Sequence, residues 1–343
     1  HHKLQIESCS AIECMHAYYK FEKTLTNEWN APLVNDFFAM IYYGVFEKLV
    51  KKQGDELSNN QFLIKTGKVI TTQPAELQQE ISQSIQSNKV YTELFKSKPV
   101  EEIWDWVKNN KEDELAKKVS QYIDKWGIRC FAELKLETIT YQQNPLQFIN
   151  ILKSTFQYAQ SINDDAEAKS PKIKGGIFKK LIFNFVKRNA IATVTDRENL
   201  RFDRTRAFNE VRKIFMRIGE LFEKDELIAT QRDIFYLSKE EIFDFIKGTS
   251  IQLDIKALIE LRKKEYGAFE KEPMQSQRIR TEDVVYNNYF GVEKSDDTQV
   301  LKGIGCCPGK IKAKVRVIHS PNEIEDLEGK ILVTTSTDPG WVS

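Results

Sequence analysis

The sequence has no apolar run approaching the roughly eighteen residues that a bilayer-crossing helix needs. It opens on HisHisLysLeuGlnIleGlu, with neither a basic n-region nor an apolar h-region, so no secretory signal is visible. An initiator Met is also lacking, and His1-His2 reads as the remnant of a purification tag. Charge of one sign is missing too. The 51 Lys and Arg face 50 Asp and Glu, and a net charge of +1 gives no general attraction for nucleic acid or an anionic membrane surface. Neither is expected as a partner. Cysteine is scarce and odd in number: Cys9, Cys14, Cys130, Cys306 and Cys307 are scattered over the chain. That suits free thiols in a reducing compartment, with the cytoplasm as the expected location. No internal repeat, low-complexity tract or dinucleotide fingerprint occurs.

What is present is ordinary globular composition, 41% hydrophobic and 29% charged, at a length that suggests about two domains. From Ile6 to about Arg280 the apolar spacing is helical. Residues 33–50 carry apolar side chains at that spacing, and 73–88 open with Pro74 in a first turn. Residues 98–125 read as two short helices, and 145–163 as another begun by AsnPro. Polar 164–176, with Pro171 and a double Gly, reads as an exposed loop. Ile177 to Phe222 holds no Pro and one Gly, so one long helix or two nearly continuous ones are expected. Residues 238–247 and 254–266 give two more, with Gly248 as a C-cap between them, and 271–300 read as a linker.

Near Val300 the period changes. Ile311, Ala313, Val315 and Val317 alternate with Lys312, Lys314 and Arg316, the pattern of a strand with one wet face. A turn with a short helix follows, then IleLeuValThrThr as a buried-type strand. Two or three strands without a closing partner suggest an incomplete domain and a truncated chain.

The clearest chemical anomaly lies on the long helix. Val194, Arg201, Phe208 and Phe215 fall seven apart and so share a face, which puts Arg201 where a core residue is expected. Glu198, Arg197, Arg204 and Thr205 are within a turn of it. A buried Arg needs a carboxylate or an anionic ligand. The group therefore reads either as an Arg–Glu pair between helices, or a solvated face, or as a cluster facing an anion. In residues 126–136 Gly127 ends the preceding helix and places Arg129 and Glu133 in a tight turn, which alone is also consistent with an exposed charged loop. Asn35 and Asp36, inside an apolar helix, read as hydrogen-bonded within the fold.

Other patterns are dismissed. GlyIleGlyCysCysProGlyLys (303–310) lacks phosphate-loop spacing, has Ile311 where Ser or Thr is required, and precedes a strand. Cys306-Cys307 has no second ligand pair, so no metal is expected. His1, His2, His16 and His319 support no nucleophilic triad.

The C-terminal stretch, residues 303–318 followed by 327–341, resembles the opening of the mobile phosphohistidine domain of phosphoenolpyruvate-utilising enzymes. The resemblance rests on the CysProGly turn at 307–309, the alternating strand after it, and a buried strand ending in ThrAspPro. Residues 29–41, 127–137, 197–208 and 232–241 are similar, in the same order, to the region joining the two catalytic domains in phosphoenolpyruvate-synthase-like and rifampicin-phosphotransferase-like proteins.

The resemblance implies a mainly α-helical domain over 1–285 and, over 286–343, a linker with the first part of a β-rich swivelling domain. It implies a parent enzyme that transfers phosphate from ATP through a phosphohistidine, as pyruvate, water dikinases do. ATP and Mg²⁺ serve the parent, and no cofactor is expected in this chain. The implied partners are a small-molecule phosphate acceptor and the ATP-grasp and complete phosphohistidine domains of the same parent. The chain departs from the full pattern by lacking the ATP-grasp part and by stopping before the expected phosphohistidine, which His319 is not. On its own it is expected to be inactive. Ile128 stands where relatives often carry a polar residue. Arg129, Glu133, Arg197, Glu198 and Arg201 are the candidates for the acceptor- or phosphate-facing site, the Arg residues neutralising phosphoryl charge. The competing class is a non-catalytic helical binding module. A third possibility is that the cluster docks the swivelling domain near Lys312 and Lys314.

Overall fold

The computed structural model describes residues 6–51, 70, 72–158, 176–269, 271–272, 310–318, 327 and 329–337. Most of the loop expected at 164–176, the linker at 271–300 and the turn around 320 lie outside the described residues, as does the expected boundary at 285. The fold is mainly helical. Its helices are α1 (Ala11–Glu28), α2 (Asn30–Lys51), α3 (Gln73–Ser87), α4 (Lys89–Ser97), α5 (Val100–Asn109), α6 (Glu114–Trp126), α7 (Pro145–Thr155), α8 (Ile177–Lys224), α9 (Lys239–Lys247) and α10 (Ile255–Phe269). Among the described residues, no helix is long and apolar enough to cross a membrane.

The helix ends follow local chemistry. Ser10 accepts the Glu13 amide while the Glu13 carboxylate takes the Ser10 amide, a reciprocal pair that satisfies two first-turn donors of α1. Asp113 takes the amides of Leu115 and Ala116 to start α6, and Pro74 sits in the first turn of α3. Gly248 ends α9 at φ 72°, a left-handed conformation that costs glycine little.

Among the described residues three apolar clusters hold the helices. The first joins α3 to α7 around Ile81, Phe95, Tyr122, Trp126 and Phe148, and receives Phe202 from α8. The second joins α1, the C-terminal half of α8, a 3-10 turn at Gln231–Tyr236, α9 and α10, through Phe215, Ile218, Ile234, Phe243 and Ile259. The third is a two-helix seam, Phe46 and Val50 of α2 against Phe183, Val186 and Ala190 of α8. Its far end is fixed by Asn35, which donates to the Thr193 carbonyl at 2.9 Å, and by Asp36, which pairs with Arg197 at 3.3 Å. The hydrogen-bonded reading of Asn35 and Asp36 thus holds. Helix α8 is continuous over 48 residues and contributes to all three clusters.

Between α9 and α10, Arg262 grips both oxygens of Glu241 at 2.6 and 2.7 Å and also donates to the Tyr236 carbonyl. These bonds hold the Glu241 carboxyl down at about 2, against an ordinary 4.5. A depressed folded-state value stabilises the fold fully above pH about 4.5 and loses that stabilisation as pH falls toward 2. Glu241→Gln therefore lowers unfolding free energy by about 1–2 kcal/mol at pH 7, a figure discounted for partial solvent screening. The deficit shrinks steadily between pH 4.5 and pH 2.5, as urea titrations over that range will record.

Strands β1 (Lys314–Val317) and β2 (Lys330–Val333) pair in parallel, Lys314 against Lys330 and Val317 against Val333. The sequence leads one to expect a wet and a dry face on β1 and burial for β2. Instead Val315, Val317, Leu332 and Val333 are all exposed. A two-stranded sheet has no second layer to cover either face, and among the described residues nothing else covers it.

Candidate functional site

On α8 Phe202, Thr205, Asn209, Arg212, Phe215, Gly219 and Phe222 follow one another at spacings of three or four residues, and every member is buried. Three polar residues thus stand in succession inside an apolar stripe. They are there to hold the segment Gly127–Asn144, which carries no regular element between α6 and α7. The tight turn expected to lead Arg129 and Glu133 into another element is in fact this long irregular loop. Its Ala132 adopts a φ of 56°.

Arg212 does most of the holding. It is 1% exposed, and its guanidinium donates to the carbonyls of Glu133, Lys135 and Leu136 at 2.9, 2.8 and 3.0 Å and to Asn209 Oδ1 at 3.1 Å. Burial lowers its pKa, and no carboxylate within the described residues forms an ion pair with it. Four neutral acceptors substitute for water around a fixed charge. Arg232 adds a further donor to the same loop at the Glu137 carbonyl.

The loop in turn fixes the first pair of candidates. Glu133 is buried and accepts from the Thr205 hydroxyl at 2.8 Å, and Arg129 Nε lies 4.0 Å from its other oxygen. Their side chains are 7% and 11% exposed, so this is no exposed charged loop. The Arg129 guanidinium also stands 5.8 Å from the centre of the Phe202 ring.

The second set of candidates lies on the neighbouring stripe of α8. Arg201 pairs with Glu198 at 3.0 Å and is 56% exposed, and Arg197 takes Asp36. The core placement expected for Arg201 is therefore corrected, and the buried arginine of this helix is Arg212. Val194, Arg201, Phe208 and Phe215 drift only about 20° per heptad, but the buried face of α8 itself turns along the helix, taking in Phe215 and leaving Arg201 outside. Arg197, Arg201, Arg204, Phe208 and Val211, at spacings of four and three, form a stripe beside that face. The structure thus brings Arg197 and Arg201 into line with each other, brings Arg129 and Glu133 together behind Thr205, and leaves the two sets on adjacent stripes.

That second stripe runs into a groove of about 580 Å³ between α1, the start of α2 and α8. Tyr18, Phe21, Trp29, Leu33 and Phe208 make its walls, and Leu136, from the loop pinned by Arg212, also faces it. Burial and donation to Glu22 raise the Tyr18 phenol above its ordinary value. Among the described residues that line the groove, Arg204 is the one cation. It is exposed and, among the described residues, forms no ion pair or hydrogen bond. The arrangement can receive an apolar body and neutralise one anionic group at its edge. Sequence reasoning placed Arg204 only as a neighbour of Arg201. The signal that separates them is the spacing to Phe208, which the seven-residue comparison passes over.

The sequence profile of the rifampicin phosphotransferase fourth domain matches residues 33–198. The chain is 23% identical over 266 residues to a rifampicin phosphotransferase of Streptomyces sviceus, covering 67% of this chain and 29% of that protein. The likeness to rifampicin phosphotransferases thus extends over about two thirds of this chain. The rifampicin phosphotransferase of Bacillus subtilis is 22% identical over 285 residues, covering 71% of this chain and 31% of the relative. An uncharacterised protein of Mycobacterium tuberculosis is 23% identical over 231 residues, covering 63% and 23%. The chain spans less than a third of the length of these curated relatives. The matched segment begins in α2 and ends within α8, so it includes the pinned loop and the upper part of the arginine stripe, Arg197 and Glu198.

Proposed function

We propose that this chain is the acceptor-holding part of an ATP-dependent phosphotransferase that passes phosphate through a phosphohistidine. The observation that carries the reading is the apolar groove with the unpaired Arg204 at its edge, in line with Arg201 and Arg197. In this reading residues 1–285 form the helical acceptor domain and 286–343 lead into the swivelling domain. ATP and Mg²⁺ belong to parts of the enzyme outside this chain. Among the described residues no group of three or more His, Cys, Asp or Glu is gathered together.

The groove favours an acceptor that is large and apolar and carries a hydroxyl. Rifampicin, for which the relatives are named, is the first to try, ahead of pyruvate, which is too small and polar to use aromatic walls. The acceptor oxygen forms its bond to phosphorus as the nitrogen–phosphorus bond of the phosphohistidine breaks and the imidazole nitrogen keeps the electron pair. The hydroxyl proton leaves to a base. Arg204, with Arg201 and Arg197 above it, offsets the negative charge of the phosphoryl oxygens. Glu133 and Arg129 act from behind, as part of the loop that presents Leu136.

Titration of the chain with rifampicin, followed by tryptophan fluorescence, is expected to saturate, and Trp29→Phe to remove most of the signal. In an enzyme completed with ATP-grasp and phosphohistidine domains, Arg204→Met slows phosphoryl transfer to a bound acceptor about 10–100-fold, the effect of one charged hydrogen bond. Its thermal midpoint stays unchanged because the side chain is solvent-facing. Undiminished transfer by Arg204→Met would overturn the assignment of the groove.

A further inference from the structure

We infer that Tyr18 makes the groove selective for ligands carrying a hydroxyl or N–H donor, because its own phenol can only accept there. The inference rests on the reading of the groove as the acceptor's seat and adds which group that seat recognises. Among the described residues that line the groove, three are polar: Tyr18, Asn30 and Arg204. Arg204 can only donate, and the Asn30 amide can do either. What the groove asks of a ligand therefore turns on where the Tyr18 proton points.

That proton is committed. The Tyr18 hydroxyl donates to Glu22 Oε1 at 3.1 Å, one turn along α1. The Lys239 ammonium donates to the same oxygen at 2.9 Å. Lys239, before any other group, holds the Glu22 carboxyl below its ordinary value, so at neutral pH it is a carboxylate with no proton to give. Burial, and then the bond to Glu22, raise the Tyr18 phenol, which stays protonated. A phenol has one proton. With that proton spent on Glu22, the oxygen has only lone pairs left for a ligand.

The ring is held as firmly as its proton. Its centre lies 5.5 Å from that of Phe215 and 5.3 Å from that of Phe243, both edge-on, and Lys239 Nζ stands 5.5 Å from it. Phe215 and Phe243 are themselves stacked at 5.9 Å. A side chain fixed in this way needs little further ordering when a donor meets it. An ether oxygen brought to the same place would set lone pair against lone pair and lose its hydrogen bond to water. The groove thus distinguishes an alcohol from the ether of the same shape.

The test is calorimetric titration of the full chain with β-naphthol and with its methyl ether, one aromatic body with and without the O–H. The wild type is expected to bind the alcohol about 3–10-fold more tightly, the effect of one neutral hydrogen bond. Tyr18→Phe keeps the ring and its contacts and brings the two affinities to within about twofold of each other. Glu22→Ala releases the phenol proton, so the ether gains affinity and the preference narrows although Tyr18 is intact. A purely structural Tyr18 would leave the preference unmoved in both variants, and that result would overturn the inference. Equal affinities for the two compounds in the wild type would overturn it too, while leaving the groove as a binding site. Binding of neither compound would overturn the groove reading and this inference with it.

Discussion

Arg212→Ala lowers the free energy of unfolding by about 3–5 kcal/mol, the range for truncating one member of a buried charged network. The alanine leaves the carbonyls of Glu133, Lys135 and Leu136 and the Asn209 amide oxygen facing a cavity instead of a donor. Each orphaned acceptor costs about 1–3 kcal/mol, and relaxation of the loop toward water recovers part of the sum. Arg212→Lys recovers less than half of the loss, since one ammonium cannot span acceptors that the planar fork reaches from both sides. Urea denaturation gives the free energies. Amide exchange in residues 133–137 gives the location: protection falls there first if the arginine acts as a clamp. Equal stability of Arg212→Ala and wild type would refute the clamp. Because Leu136 faces the groove, the Lys variant also links stability to ligand binding, and its affinity for rifampicin should fall while α3 to α7 keep their exchange protection.

Gly219→Ala is the second large effect, about 3 kcal/mol of destabilisation, at the upper end for an overpacked site. A Cβ there would lie 2.2 Å from the Gln231 carbonyl oxygen and 3.2 Å from Ile234 Cβ. The obstacle is backbone, so no rotamer change relieves it. Either α8 withdraws or the 3-10 turn at Gln231–Tyr236 shifts, and both disturb the cluster around Ile218 and Ile234. Gly44→Ala is the control. Nothing lies within 4 Å of its Cβ position, and it sits inside α2, so alanine should stabilise by about 0.5–1 kcal/mol. Thermal melts of the two variants are expected to move in opposite directions. A shared direction would mean that helix propensity, and not the close approach at Gly219, governs the result.

Most helices could be read from the sequence because each carries its own start and stop: Ser10 and Glu13, Pro74, Asp113, AsnPro at 144–145, Ser238 and Gly248 are local signals. The continuity of α8 was equally legible in its lack of proline. What escaped was which side of α8 is buried. The helix changes neighbours along its length, from α2 to the pinned loop to the second cluster, so no single spacing describes its core face. Arg201 and Arg212 are chemically alike in sequence. They differ in whether carbonyls 76 to 79 residues away are presented to them, which no local pattern records. The groove was illegible for the same reason, since α1, α2, α8 and Leu136 meet only in three dimensions. The loop at 127–144 was misjudged as a short turn because its order comes from Arg212 and Arg232 and not from its own residues.

Helix α8 has a consequence for distance. At 1.5 Å per residue its 48 residues make a rod of about 72 Å, and the stretch from Leu181 to Arg204 accounts for about 35 Å of it. Neither proline nor glycine interrupts that stretch, so there is no joint at which it can fold. The rod therefore works as a gauge. The N-terminal half of α8 is thereby held at a set distance from the groove, and a rotation of one about the long axis turns the other by the same angle.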